Sequence, residues 1–147
     1  MKTNITAHTS ISIAVSPKNI WDAITDPKII SQWFLGTKVK SDWRVGSPVK
    51  FYGEYQGKKY EDKGTVLKNI PEKLLEYEFW SSMSGIEDKP ENYVIVSYEI
   101  TQGKIESTLT VTEHNLPDEK MKKRSEEIWK KVFHTMKEVL EKENTPA

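Results

Sequence analysis

The first part of the chain alternates between apolar and polar residues. Every second residue from Ile5 to Val15 is apolar or threonine, and the residues between them are mostly serine, threonine and histidine. Successive side chains of a β-strand point to opposite faces. The pattern therefore predicts that the chain opens with a strand that buries one face.

Two short helices are predicted directly after this strand. Ser16-Pro17 places a hydrogen-bond acceptor at the N-cap and a proline at the first helical position. Asp26-Pro27 repeats the same signal ten residues later. Because the residue before a proline avoids the α region, the two helices must meet at a kink. We expect this helical pair to end at Gly36.

The middle of the chain is typical of a series of strands separated by short turns. The predicted strands after the helical pair are 49–52, 60–70, 74–81, 93–101 and 105–113. Strands joined by such short turns pair antiparallel, because parallel pairing needs a long crossover. One longer polar segment, 82–92, is compatible with either a flexible lid or a plain linker.

The clearest helical pattern lies at the C-terminal end, where Pro117-Asp118 predicts a helix start. The residues that share one face of this helix are Met121, Ser125, Ile128, Trp129, Val132, Phe133, Met136, Val139 and Leu140. A sheet with one apolar face needs a cover, and this helix and the helical pair are available. The predicted fold class is α+β: a curved antiparallel sheet of six or seven strands wrapped around a long C-terminal helix, with two short helices after strand 1.

The composition narrows the classes of function. At 147 residues the chain is expected to form one domain, 1–147, with its core at about 5–141. The 22 basic and 22 acidic residues balance, which argues against nucleic acid as a partner. The absence of cysteine excludes disulfides and thiolate catalysis. No apolar run approaches the ~18 residues of a membrane span, so we expect no membrane span and a cytoplasmic location.

Several local strings, taken in order, resemble the START-like (SRPBCC, birch-pollen-allergen-like) superfamily. Within it, they are similar to homologues of the C-terminal domain of the activator of the 90-kDa heat-shock-protein ATPase. The resemblance covers the chain from about Ile5 to Leu140. The strings are Ile13-Ala14-Val15-Ser16-Pro17, Ile20-Trp21-Asp22-Ala23-Ile24-Thr25-Asp26-Pro27, Gln32-Trp33-Phe34, Asp42-Trp43-Arg44-Val45-Gly46-Ser47, Gly64-Thr65-Val66-Leu67 and Pro71-Glu72-Lys73-Leu74-Leu75.

This resemblance implies the helix-grip fold more firmly than any activity. The wider superfamily includes lipid carriers, hormone receptors, aromatases and cyclases, and a fold alone does not assign a function. The full-length eukaryotic activator has a further N-terminal domain that helps it to engage the chaperone, and this chain starts on the first strand of the C-terminal domain. Chaperone activation is therefore not expected from the resemblance alone.

The space between a bent sheet and its helix is the candidate binding site. The candidates for its lining are Trp33, Phe34, Phe51, Tyr77, Phe79, Tyr98, Met121, Ser125, Trp129 and Phe133. They either fill the space as an ordinary core or surround a cavity for a small apolar or aromatic ligand. Binding pockets are mostly apolar with a few orienting polar groups, and Tyr77, Tyr98 and Ser125 fit that role.

Other site chemistry has little support in the sequence. His8, His114 and His134 lack the spacing of metal ligands, so we expect surface histidines and no metal. No phosphate-binding glycine motif occurs and no cofactor is expected. Asp62 is the first candidate for an inward-pointing carboxylate with a raised pKa, although a surface position is the simpler interpretation.

Three hypotheses follow. The first is a carrier or sensor that encloses a small apolar molecule. The second is a protein-binding, co-chaperone-like module, motivated by the resemblance and by Trp43 and Trp80 as candidates for exposed aromatic residues. The pattern leaves Trp80 open between a surface aromatic, a bulge residue and a portal residue. The third is an enzyme of the cyclase or dehydratase kind that uses a pocket tyrosine or aspartate as general acid or base.

Overall fold

Seven strands and three α-helices form the part of the chain that the computed structural model describes, residues 2–82 and 84–144. The loop residue Met83 and the predicted domain end at 145–147 lie outside this part. The strands are β1 (Thr6–Ile13), β2 (Lys38–Lys40), β3 (Pro48–Tyr55), β4 (Lys58–Ile70), β5 (Leu74–Trp80), β6 (Val94–Gln102) and β7 (Ser107–His114). The α-helices are α1 (Pro17–Thr25), α2 (Pro27–Trp33) and α3 (Glu119–Asn144).

The capping signals of the sequence begin the helices as predicted. The Ser16 side chain accepts a hydrogen bond from the Asn19 amide, and Pro17 is the first residue of α1. The backbone amide of Asp26 donates to Asp22 and ends α1, while its side chain accepts from the Lys28 amide and begins α2. One residue therefore makes the kink, because it satisfies the ends of both helices.

The strands form one antiparallel sheet in the order β1-β7-β6-β5-β4-β3-β2. Strands that follow each other from β2 to β7 are neighbours, and β1 pairs with β7 at the far end. The predicted helix-grip architecture is confirmed. β2 is absent from the predicted strands because three residues are too few to show a period of two.

The long helix α3 packs unevenly along its length. In its C-terminal half, Val132, Phe133 and Met136 are completely or almost completely buried. In its N-terminal half, Met121 and Ser125 are only half-buried, and Ile128 keeps 39% of its surface exposed. The same helix therefore closes the core at one end and leaves space beside the sheet at the other.

The prediction that Trp43 is exposed is wrong. Its side chain is 9% exposed, and its indole N–H donates to the carbonyl of Thr25 at 2.8 Å. The Asn69 side-chain amide donates to the Trp43 carbonyl, also at 2.8 Å. Trp43 lies in a loop without periodicity, so the sequence pattern does not assign it to a face.

Trp80 lies at the end of β5 opposite Lys63 of β4 and is half-buried. Its indole N–H donates to the carbonyl of Ile86 at 2.9 Å, and the Lys63 ammonium lies 5.7 Å from its ring centre. This tryptophan therefore tethers the loop 81–92 to the sheet.

Gly64 lies where the backbones of β4 and β5 approach each other closely. A Cβ atom at this position would fall on the backbone oxygen of Glu78, which only a shift of the strand could relieve. We expect Gly64→Ala to destabilise the fold by about 1–3 kcal/mol, as overpacking usually does, and to lower Tm by several degrees. Gly53→Ala is the matched control, because there the added methyl meets the Tyr60 side chain instead of backbone. An equal Tm loss in both variants, measured by thermal denaturation, would contradict this account.

Candidate ligand-binding cavity

Two adjoining cavities lie between the sheet and the loosely packed half of α3. The larger one, of about 330 Å³, is bounded by the end of β5, the loop 81–92, the start of β6, the end of β7 and α3. The smaller one, of about 140 Å³, lies beside it among aromatic side chains. Phe79, Glu113, Ser125 and Ile128 line both, so the two cavities share a wall.

A third depression, of about 550 Å³, lies along β2 and β3 and differs in character. Its lining includes Lys40, Lys50 and Tyr52, which alternate with buried residues of β2 and β3, and Asp42 of the loop after β2. The two lysines and Asp42 are charged and exposed, so this depression does not enclose an apolar molecule.

Aromatic rings form most of the wall of the smaller cavity. The ring of Phe34 stacks on that of Trp129 with centres 5.6 Å apart. The ring of Phe51 meets those of Phe79 and Tyr77 with centres 5.6 and 5.7 Å apart. Such walls offer both the faces and the edges of rings, which suits the packing of another aromatic group.

Glu113 is the polar group that the sequence interpretation missed. It pairs with Val96 across the β6–β7 ladder, and it follows the buried Leu109 and Val111 on the same face of β7. The Trp129 indole N–H donates to its Oε1 at 2.9 Å, and the Ser125 side chain is a second hydrogen-bond partner. The alternation of β7 extended by two residues would have placed this carboxylate inside.

The surroundings of Glu113 disfavour its charged form. Burial raises its pKa, and the nearby charge of Glu126 acts in the same direction, while the hydrogen bonds from Trp129 and Ser125 oppose the shift. None of the ion pairs formed by the described residues includes Glu113. The cavity wall therefore carries a carboxylate that has hydrogen-bond donors but no ion-pair partner among the described residues.

The structure brings seven of the ten predicted lining residues to the two cavities. These are Phe34, Phe51, Tyr77, Phe79, Met121, Ser125 and Trp129. Trp33, Tyr98 and Phe133 line neither cavity and are at most 4% exposed within the core. The indole N–H of Trp33 donates to the Ala23 carbonyl at 2.8 Å, which fixes it against α1.

The hydroxyl groups of Tyr77 and Tyr98 are buried and offer few hydrogen bonds to a ligand. Their rings lie 6.2 Å apart and their hydroxyl groups interact with each other. Burial raises the pKa of both phenols well above the ordinary value. Both therefore stay protonated at neutral pH.

The remaining chemical candidates lie outside the two cavities. Asp62 shares the inner face with Phe51, and its carboxylate accepts from the Ser82 amide at 3.0 Å, so it anchors the loop 81–92. Burial raises its pKa. His8, His114 and His134 are exposed, as predicted. Over residues 2–82 and 84–144, no cluster of His, Asp and Glu could hold a metal ion, and no helix is long and apolar enough to span a membrane.

The raised pKa of Glu113 predicts a pH-dependent effect of Glu113→Gln. Stability linked to a raised pKa is complete below the unfolded-state value, 4.5, and is lost as pH rises through the folded-state value. The variant should therefore match the wild type near pH 4 and become progressively more stable than the wild type towards pH 7.5. Urea denaturation across this pH range measures the difference.

Asp62→Asn provides the comparison for that experiment, because burial raises the pKa of Asp62 independently of the cavity. Its effect should have the same sign and should add to that of Glu113→Gln in the double variant. A wild-type and a Glu113→Gln profile that run parallel from pH 4 to 7.5 would contradict the assignment.

Comparisons with known proteins agree with the helix-grip fold. The sequence model of the "Activator of Hsp90 ATPase homolog 1-like protein" family matches residues 14–141. The solution structure of ChR145 from Cytophaga hutchinsonii is similar, with 34% identity, a TM-score of 0.83, and coverage of 99% of this chain and 100% of that chain. No match was found among curated protein sequences.

Two further structures share the fold at lower identity. The crystal structure of CV1439 from Chromobacterium violaceum has a TM-score of 0.76 at 17% identity, covering 92% of this chain and 96% of its own. The solution structure of the Aha1 dimer from Colwellia psychrerythraea has a TM-score of 0.72 at 19% identity, with the same 92% and 96% coverage. With a family match over most of its length and a structural relative above 30% identity, the chain belongs to the activator of Hsp90 ATPase homologue 1-like family.

Proposed function

We propose that this protein binds a small apolar or aromatic molecule between its sheet and the N-terminal half of α3. The observation that carries the proposal is the uneven packing of α3, which leaves cavities of about 330 and 140 Å³ against an aromatic wall. Glu113 and Ser125, where the cavities meet, supply the few polar groups that orient a ligand in such sites.

The energetics suit a ligand of one or two rings. The larger cavity is near the lower end of the 300–1,000 Å³ that is usual for small-molecule sites. Apolar surface removed from water contributes about 25 cal/mol per Å² before the costs of association. Contacts with rings such as Phe34, Phe79 and Trp129 add geometric preference for a flat ligand.

The protein-binding alternative has lost one of its two exposed aromatic candidates, because Trp43 is buried. Trp80 is held by Ile86 and Lys63. The exposed apolar side chains that remain include Leu35, Val45 and Ile105. Scattered single residues of this kind are normal on a protein surface, so they do not favour a partner-binding role over the cavity.

The catalytic alternative would use Glu113, which has the burial and the raised pKa of a general acid. Binding and chemistry differ in one observable. A carrier releases its ligand unchanged, whereas an enzyme releases a product of different mass or double-bond position.

The cytoplasmic location expected from the sequence remains a prediction.

A larger side chain in the cavity should weaken ligand binding without unfolding the protein. Val94 lies on the wall of the larger cavity, and Val94→Phe would occupy part of that space. We expect the neutral probe N-phenyl-1-naphthylamine to bind the wild type with enhanced fluorescence. The variant should bind it about 5- to 150-fold more weakly, since overpacking costs about 1–3 kcal/mol.

Ile105→Phe is the matched control, because Ile105 is 88% exposed and lines neither cavity. It should bind the probe like the wild type. Equal binding by Val94→Phe and the wild type would place the probe elsewhere and contradict the proposed site. Failure of the wild type to bind any of a panel of one- and two-ring compounds would contradict the proposed function.

A further inference from the structure

Glu113 is an unusual residue for the wall of an apolar cavity. Of the described residues that line the two cavities, it alone carries a carboxylate. Its Oε1 accepts from Trp129, and Ser125 is its other hydrogen-bond partner. Both donors are neutral, so the negative charge has no ion-pair partner among the described residues.

A buried carboxylate is costly unless it is paired and hydrogen-bonded. A ligand that brings a cationic donor would lower this cost, whereas a ligand that brings a second carboxylate would raise it. Charge-assisted hydrogen bonds are also about twice as strong as neutral ones. A cationic polar group would therefore be favoured in this cavity over an anionic one.

The one guanidinium on the lining does not change this conclusion. Arg124 lines the larger cavity but is exposed, and it does not line the smaller cavity. Glu113 lines both. A polar group at the junction of the cavities thus meets Glu113, and the surrounding rings of Phe34, Phe79 and Trp129 attract a cation through their faces.

We propose that the preferred ligand is an aromatic amine, whose ammonium group donates to Glu113 while its ring packs against Phe34, Phe79 and Trp129. This inference rests on the proposed function, and it adds the chemical class of the ligand. Glu113 acts here as a specificity-determining residue.

Four probes with the same two-ring body separate the possibilities. These are 1-naphthylmethylamine, 1-naphthylmethanol, 1-methylnaphthalene and 1-naphthoate, each used near neutral pH to displace N-phenyl-1-naphthylamine from the wild-type protein. We expect the amine to bind at least about tenfold more tightly than 1-methylnaphthalene, since a hydrogen bond to a charged group contributes that much affinity. The naphthoate should bind most weakly.

Glu113→Gln should remove this preference and leave the affinity for 1-methylnaphthalene within about twofold. Glu126→Gln is the matched control, because it removes the same charge close to Glu113 from a residue that lines neither cavity. Its preference for the amine should be retained. In wild-type protein labelled with ¹⁵N, the amine should also shift the indole N–H signal of Trp129, which donates to the same carboxylate.

The outcomes separate the two proposals. If neither the fluorophore nor any of the four probes binds, the proposed function fails. If 1-methylnaphthalene binds as tightly as the amine, or if Glu113→Gln keeps the preference, the amine inference fails and the proposed function stands. Tightest binding by the naphthoate, lost in Arg124→Gln, would overturn the inference in favour of an anionic ligand. If the Glu113→Gln variant does not fold, the order of affinities of the four probes for the wild type decides whether the amine inference holds.

Discussion

The indole of Trp129 joins the closing helix to the sheet at the point where the packed core ends. Its ring lies 5.3 Å from that of Phe133 and 5.8 Å from that of Tyr98, both of which belong to the core. Its other neighbours face the cavity, since it stacks on Phe34 and donates a hydrogen bond to Glu113. Because one side chain makes all these contacts, it separates the filled part of the interior from the open part.

The two halves of α3 have different partners because of this arrangement. Beyond Trp129 towards the C-terminus, Val132, Phe133 and Met136 fill the interior and contribute the dispersion and burial that stabilise the domain. Before Trp129, the helix offers a hydroxyl at Ser125 and the half-exposed Ile128 opposite the sheet. The packed core and the space of the proposed binding site thus lie against different turns of one helix.

Periodicity and capping made most of the fold predictable. The alternation in β1, the proline signals before α1 and α2 and the apolar stripe of α3 each follow from local geometry. β2 was not predicted because it is too short to show a period of two. Trp43 was wrongly predicted to be exposed because its loop has no periodic pattern that would assign it to a face.

The candidate site was less predictable, for a physical reason. Alternation identifies the face on which Tyr98 or Phe79 lies, but whether a ring fills the core or lines a cavity depends on the position of α3 across the sheet. Glu113 was not predicted as a site residue because a carboxylate near a strand end is usually solvated. Its pairing with Val96 nevertheless places it on the inner face of the sheet.

The central claim is that the space beside the first half of α3 encloses an apolar molecule. Intermolecular nuclear Overhauser effects between unlabelled 1-methylnaphthalene and the ¹³C-labelled protein test it most directly. We expect contacts from the ligand to the methyl groups of Val94, Val96 and Ile128, which all line the cavities. Contacts confined to the outer face of β2 and β3, around Lys50 and Tyr52, would contradict it.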